Sequence, residues 1–151
     1  VLLGEYSNEP IDLLRTVTML LIHDMVEIDA GDTYAYDEQG QTTQRDRELK
    51  AADRLYNLLP PDQAAKLRGW WDEFEEGKTP EARFARALDN VQPAMLNCAT
   101  DGAMWRQNGV RLSQILNRNK NTADGSAVLW DYAYEHFIRP HVEKGNILDN
   151  A

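Results

Sequence analysis

The sequence predicts an all-α protein folded as one helical bundle. Apolar residues recur every three to four positions along most of the chain, and the alternating pattern of strands is absent. The 151 residues are enough for one domain with a real core. No linker, repeat or low-complexity segment interrupts them, so we expect a single domain over residues 1–151.

The first quarter of the chain predicts two helices and a loop. Val1-Leu2-Leu3 is apolar and resembles the last turns of a helix that begins upstream, which Ser7-Asn8-Glu9-Pro10 would end. A second helix should follow over residues 11–28. Glycines and short polar side chains over residues 29–40 then predict a loop at the rim of a site. The second helix should direct the side chains of Leu14, Val17 and Leu21 toward the core.

Proline and glycine delimit the next two predicted helices. A third helix fits residues 44–59 and should end at Pro60-Pro61. A fourth fits residues 62–76, with Gly77 as its C-terminal cap. Both helices therefore have stop signals in the sequence.

The second half of the chain predicts one long helix and one kinked helix. Thr79-Pro80 has the form of an N-cap followed by proline, and it should start a helix that runs to about residue 99. The pattern is weaker between residues 102 and 121. A last helix should span residues 126–144, with a kink at Pro140.

Charge and composition exclude several partners. The formal charge is −9, from 25 acidic and 16 basic side chains, which argues against a nucleic-acid polymer. A small nucleotide stays possible, because a metal ion and one or two arginines can neutralise one phosphate. The single cysteine, Cys98, cannot form an internal disulfide, so cytoplasm is the default location. No apolar run approaches the roughly 20 residues that cross a membrane.

The doublet His23-Asp24 is the best indication of function. It ends the apolar run of residues 19–22, with Glu27 one helical turn later and Asp32 just beyond. An imidazole and a carboxylate are both costly to bury without a partner, and a divalent cation is such a partner. A hydrogen-bonded pair that caps nearby backbone is the structural alternative.

These residues resemble the HD-domain metal-dependent phosphohydrolases. The resemblance rests on His23-Asp24, the spacing to Glu27, the step Gly31-Asp32 and the later Leu88-Asp89. Residues 21–33 are similar to the 5′-deoxynucleotidase-like branch of that superfamily, and so are residues 71–75, 79–84 and 88–90. The likeness covers most of the chain.

The resemblance implies one divalent metal ion held by His23, Asp24 and Asp89. Imidazole and carboxylate ligands suit several ions, so the sequence does not distinguish Mn, Co, Mg, Zn, Fe and Ni. The family has a further histidine ligand on a helix upstream of the doublet, whereas this sequence has none before His23. We expect that ligand in a segment upstream of Val1.

The resemblance also implies the reaction, which is release of phosphate from a small phosphomonoester such as a deoxynucleoside 5′-monophosphate. The family gives the glutamate at Glu27 a catalytic role as general acid or base, and it marks Asp32 as a site residue that orients water or a sugar hydroxyl. Arg83 or Lys50 could neutralise the substrate phosphate, although surface ion pairs are the commoner fate of such residues.

Three alternatives remain open from the sequence. Another phosphoester could be the substrate, or the chain could be a non-catalytic helical interaction domain in which the doublet only makes hydrogen bonds. Asp89 could pair with Arg86 three positions earlier instead of binding metal. Family members tend to form dimers, so we expect a homodimer.

Overall fold

The computed structural model describes residues 1–32 and 38–149, and every regular element in this part of the chain is helical. The all-α prediction is confirmed. Part of the loop predicted over residues 29–40 lies outside the described residues. No helix in the described ranges is both long and apolar enough to cross a bilayer.

The described elements follow one another with short connections. The α-helices are α1 (Leu13–Ile22), α2 (Glu27–Ala30), α3 (Glu38–Tyr56), α4 (Pro61–Glu76), α5 (Pro80–Ala99), α6 (Ala103–Asn108), α7 (Leu112–Arg118), α8 (Thr122–Gly125), α9 (Ala127–Ala133) and α10 (Arg139–Glu143). Tighter 3-10 turns occupy Leu2–Tyr6 and His23–Val26, and a wider π-helical turn occupies Tyr134–Ile138.

Helices α4 and α5 begin and end where the sequence predicts. Gly77 follows α4 with φ of 62°, the left-handed conformation that glycine adopts without steric cost. The Thr79 hydroxyl accepts a hydrogen bond from the Ala82 amide at 3.2 Å and caps the start of α5. Local chemistry alone therefore determines this helix–turn–helix unit.

The helix predicted over residues 11–28 is instead broken at the doublet. The Glu27 amide donates to the Asp24 and Met25 carbonyls, which tightens residues 23–26 into a 3-10 turn. The His23 carbonyl accepts from Trp71 Nε1 at 3.2 Å, so a side chain of α4 takes the acceptor that an α-helix would use. The break is a consequence of tertiary packing.

The inward face of α1 also differs from the prediction. Leu14 and Leu21 are each 74% exposed, and Val17 is only half-buried. The buried residues are Thr16, Met19 and Ile22. Residues two positions apart project to nearly opposite sides of a helix, so the predicted face is rotated away from the one that packs.

The last predicted helix is interrupted as expected near Pro140. The Ser126 hydroxyl caps α9 by accepting from the Leu129 amide at 3.2 Å, and the π-helical turn separates α9 from α10. Pro140 has no N–H for the carbonyl of His136, four positions earlier. Cys98 Sγ lies 3.7 Å from that carbonyl oxygen and supplies a weak donor in its place.

Helix α5 lies at the centre of the core, because two of the three apolar clusters in the described residues contain its side chains. One of these two clusters is Met19, Phe74, Ala82 and Ala85, and the other is Ala94, Trp105, Val110, Ile115, Ile138 and Ile147. The third cluster joins α1 and α2 to α3 and α4 through Ile22, Val26, Ala30, Ala51, Ala52, Tyr56 and Trp71. The short helix α8 packs directly on α5.

Gly125 sets the distance between α8 and α5. A Cβ atom at this position would lie 2.2 Å from the Arg83 carbonyl oxygen and 2.6 Å from its carbonyl carbon. Both are backbone atoms of α5 and cannot move aside without displacing the helix. A side chain here is therefore incompatible with the packing.

We expect Gly125→Ala to lower the free energy of unfolding by about 1–3 kcal/mol, the usual cost of overpacking. Gly69→Ala is the matched control, because nothing lies within 4 Å of a Cβ built there and alanine favours the helix. Urea unfolding of both variants would measure the difference. Equal midpoints for Gly125→Ala and the unsubstituted chain would contradict the close approach.

Candidate active site

A cavity of about 780 Å³ opens where the 3-10 turn His23–Val26 meets α3, α4, α5 and α7. Its lining includes His23, Asp24, Glu27, Asp32 and Asp89. All the residues that the sequence analysis assigned to metal binding and catalysis therefore share one cavity. Its size is within the range of small-molecule sites.

The imidazole of His23 joins the two carboxylates assigned as metal ligands. Its Nε2 atom lies 3.0 Å from Asp24 Oδ1 and 3.4 Å from Asp89 Oδ1. Asp89 is 66 residues away along the chain, so this contact depends on the fold. The His23 side chain is 13% exposed and the Asp24 side chain is 66% exposed, so the doublet lies at the boundary between the core and solvent.

The other ring nitrogen of His23 is fixed by the backbone. Nδ1 lies 2.9 Å from the Leu20 carbonyl oxygen, which can only accept, so Nδ1 carries a proton and donates it. The ring also packs on Phe74, with ring centroids 4.6 Å apart. Nε2 is thereby aimed at the two carboxylates.

This arrangement has the chemistry of a divalent-metal site. A histidine ligand ordinarily donates its second N–H to a carbonyl or carboxylate and binds the metal through the remaining nitrogen, as Nε2 of His23 could. Burial lowers the pKa of His23, but the hydrogen bond with Asp89 and the charges of Asp24 and Asp89 outweigh it and raise that pKa overall. The cluster therefore favours a positive charge on or beside the ring.

The ligand set is incomplete in the described residues. No group of three or more histidine, cysteine, aspartate and glutamate side chains within ranges 1–32 and 38–149 is spaced as a ready-made metal site. His23, Asp24 and Asp89 contact one another through one nitrogen, and a cation would have to separate them. The donor types fit a divalent metal, whereas the distances of 3.0 and 3.4 Å from His23 Nε2 to the two carboxylates are those of direct contacts between the side chains.

Glu27 is a titratable group poised near neutrality in the same cavity. Burial raises its pKa to about 7, with further increases from the charges of Asp24 and Asp32 and a smaller opposing effect of His23. Burial also raises the pKa of Asp24, against the effect of His23. A carboxyl group with a pKa close to the working pH can both accept and donate a proton.

Comparison with known sequences identifies the family. The family model described as HD domain matches residues 1–130. The chain belongs to the HD domain family. The resemblance inferred from the doublet and Asp89 is therefore confirmed at the level of the family.

Similar proteins agree with this membership. The HD domain chain is 33% identical to the 5′-deoxynucleotidase HDDC2 of Bos taurus over 86 residues, and 33% identical to that of Homo sapiens over 78 residues. These matches cover 57% and 52% of this chain but only 42% and 38% of the relatives. The aligned part thus spans about two fifths of the curated relatives' length.

A solved structure matches nearly the whole fold. The crystal structure of a "predicted metal-dependent phosphohydrolase" from Magnetospirillum magnetotacticum MS-1 superposes with a TM-score of 0.90 at 43% sequence identity. The match covers 97% of this chain and 72% of that one. The expected HD-domain helical fold is confirmed.

The two residues assigned to the substrate phosphate do not line the cavity of this HD domain. Arg83 forms an ion pair with Glu9 and donates to the Lys78 carbonyl at 2.8 Å. Lys50 is exposed on α3, two positions after the cavity-lining Glu48 and hence on the opposite side of the helix. Their placement therefore does not support a substrate-phosphate role for either residue, and Arg83 forms a surface ion pair instead.

The alternative pairing of Arg86 with Asp89 is also not formed. Arg86 instead donates to the carbonyls of Phe74 and Glu75, at 3.3 and 2.7 Å. It thereby supports the C-terminal end of α4. Asp89 is left to contact His23.

Sequence reasoning missed several cavity residues on helices α3 to α7 and at the C-terminal cap of α7. Glu75 lines the cavity, and burial together with the charge of Glu48 raises its pKa against the charges of Arg45 and Arg86. Its position four residues after Trp71, whose side chain is fully buried, was the available signal. The other missed residues are Gln44, Arg45, Glu48, Asn90, Asn97, Trp105, Arg118 and Asn119.

Proposed function

We propose that this HD domain is a metal-dependent phosphohydrolase that releases phosphate from a small phosphomonoester, with a deoxynucleoside 5′-monophosphate as substrate. The convergence of His23, Asp24 and Asp89 beside Glu27 in one cavity is the observation that carries the proposal. The substrate is supported by the name 5′-deoxynucleotidase that the curated relatives bear.

Each residue of the cluster has a distinct role in this proposal. His23, Asp24 and Asp89 hold one divalent cation through Nε2 and the carboxylate oxygens. That cation, when bound, supplies an activated water and polarises a phosphoryl oxygen. Glu27, which lines the same cavity, moves the proton of the attacking water or of the leaving group. Asp32, exposed at the cavity rim, orients that water or contacts a sugar hydroxyl.

Phosphate release from a panel of deoxyribonucleotides, ribonucleotides and other phosphomonoesters tests the reaction. We expect turnover with deoxynucleoside 5′-monophosphates, dependent on an added divalent ion and abolished by a chelator. Turnover restricted to another phosphoester would contradict the substrate. Absence of both bound metal and turnover would favour a non-catalytic interaction domain.

Removing either carboxylate ligand should remove the metal. We expect Asp24→Ala and Asp89→Ala to lose bound metal in elemental analysis of the purified proteins, because each contributes a carboxylate to an already small ligand set. Asp53→Ala is a suitable control, since Asp53 is an exposed carboxylate that pairs with Arg68 away from the cluster. Metal content unchanged in both ligand variants would overturn the ligand assignment.

Glu27 should affect rate without affecting metal content. We expect Glu27→Ala to retain the cation and to lower kcat by about 10²-fold or more, the size of effect expected for a general acid or base. Steady-state kinetics combined with elemental analysis would measure both properties. An unchanged kcat in the metal-loaded variant would remove Glu27 from the mechanism.

We also propose a homodimer in the cytoplasm. Leu14 and Leu21 lie seven positions apart on α1 and are each 74% exposed, so they offer apolar surface to a second copy of the chain. A monomeric mass in light scattering at the concentration used for activity would contradict the dimer. The cytoplasmic location is supported by the single cysteine.

A further inference from the structure

A phosphate that enters this cavity meets an acidic surface. The described lining contains the carboxylates of Asp24, Glu27, Asp32, Glu48, Glu75 and Asp89, and the guanidinium groups of Arg45, Arg86 and Arg118. A phosphomonoester carries up to two negative charges at neutral pH and would be repelled by this excess of carboxylates. Besides a divalent cation, the substrate therefore needs a basic side chain that is free to bind it.

Two of the three arginines are already engaged by the protein. Arg45 pairs with Glu75 at 2.9 Å and stacks over the Trp71 ring, with its Cζ 5.0 Å from the centroid. Arg86 donates to the Phe74 and Glu75 carbonyls. Arg45 thus neutralises the Glu75 carboxylate, and Arg86 caps backbone carbonyls near the C-terminal end of α4.

Arg118 differs from both. Among the described residues, its side chain has no hydrogen-bond or ion-pair partner, and it is exposed at the C-terminal end of α7, where it lines the cavity. A guanidinium group binds phosphate oxygens through two parallel N–H donors, a geometry that carboxylates and phosphates share. Arg118 is therefore a cation with no acceptor among the described residues, at a cavity with a proposed anionic substrate.

A buried polar network places the C-terminal end of α7 close to the middle of α5, where Asp89 lies. Asn119, the next residue, accepts from Thr122 Oγ1 at 3.3 Å, and Thr122 Oγ1 accepts from Asn90 Nδ2 at 3.2 Å. Asn90 directly follows Asp89. Asn119 and Thr122 are 5% and 1% exposed, so water competes little for these hydrogen bonds.

We propose that Arg118 binds the phosphoryl group of the substrate from the wall of the cavity formed by α7. This inference rests on the proposed function, which it deepens by assigning a phosphate-binding residue. Arg118 takes the role that the sequence analysis gave to Arg83 or Lys50. The network of Asn119, Thr122 and Asn90 holds the end of α7 beside Asp89, so the guanidinium and the metal ligands face the same substrate group.

Binding measurements on two matched variants test the assignment without relying on turnover. Arg118→Gln removes the guanidinium, and Lys120→Gln is the control, because Lys120 is an exposed cation two positions away that does not line the cavity. Isothermal titration in one buffer with a fixed divalent ion would use three probes, namely inorganic phosphate, deoxyadenosine 5′-monophosphate and deoxyadenosine.

We expect Arg118→Gln to weaken binding of phosphate and of the nucleotide by about tenfold or more, as for loss of charge-assisted hydrogen bonds, and to leave deoxyadenosine binding unchanged. Lys120→Gln should bind all three probes like the unsubstituted chain, and Arg118→Lys should recover part of the phosphate affinity. The unfolding midpoint of each variant identifies a purely structural effect.

Three results would overturn the assignment. These are unchanged phosphate affinity in Arg118→Gln, weakened deoxyadenosine binding with phosphate binding intact, and equal losses in Arg118→Gln and Lys120→Gln. A protein that binds phosphate through Arg118 but hydrolyses no phosphomonoester would instead refute the proposed reaction, so the two failures are distinguishable.

Discussion

The contact of His23 with Asp89 is the interaction on which the rest of the site depends. It joins the 3-10 turn after α1 to the middle of α5, 66 residues later. The imidazole and the carboxylate each lose hydration in this position, and each compensates the other only at close distance. The surrounding side chains must therefore pack accurately enough to keep the two groups in contact. The Trp71 indole donates a hydrogen bond to the His23 carbonyl, and the Tyr56 hydroxyl donates one to the Ile22 carbonyl at 3.0 Å. The core of α3 and α4 thereby fixes the orientation of the doublet.

Local signals made much of the fold predictable, and long-range contacts account for what was missed. The ends of α4 and α5 follow from Gly77 and Thr79, which act on neighbouring backbone. The break after Ile22 depends on Tyr56 and Trp71, which are 34 and 48 residues away from the carbonyls that they bind. No periodicity within residues 11–28 contains that information.

The candidate site shows the same division between residues that the sequence pattern indicates and residues that only the fold brings into place. The doublet, Glu27, Asp32 and Asp89 were recognisable because their order and spacing form a pattern, and the cavity contains all of them. The proposed phosphate-binding cation has no such pattern, because it depends on which cavity-lining arginine has no partner among the described residues. Arg83 is six positions before Asp89 on α5 and turns toward Glu9, whereas Arg118 lies on another helix. Only the tertiary structure separates these two residues.

The acidic cavity also links cation binding to the stability of the fold. Carboxylates of the 3-10 turn and of α5 lie close enough to raise the pKa of His23, so they favour a positive charge at the ring. A divalent cation in its place would balance more of that charge and would bind the folded state but not the separated segments. Because α5 also carries the central core residues, a ligand that bridges Asp89 and His23 would stabilise the packing of α1 on α5. Site and core are therefore parts of one cooperative unit.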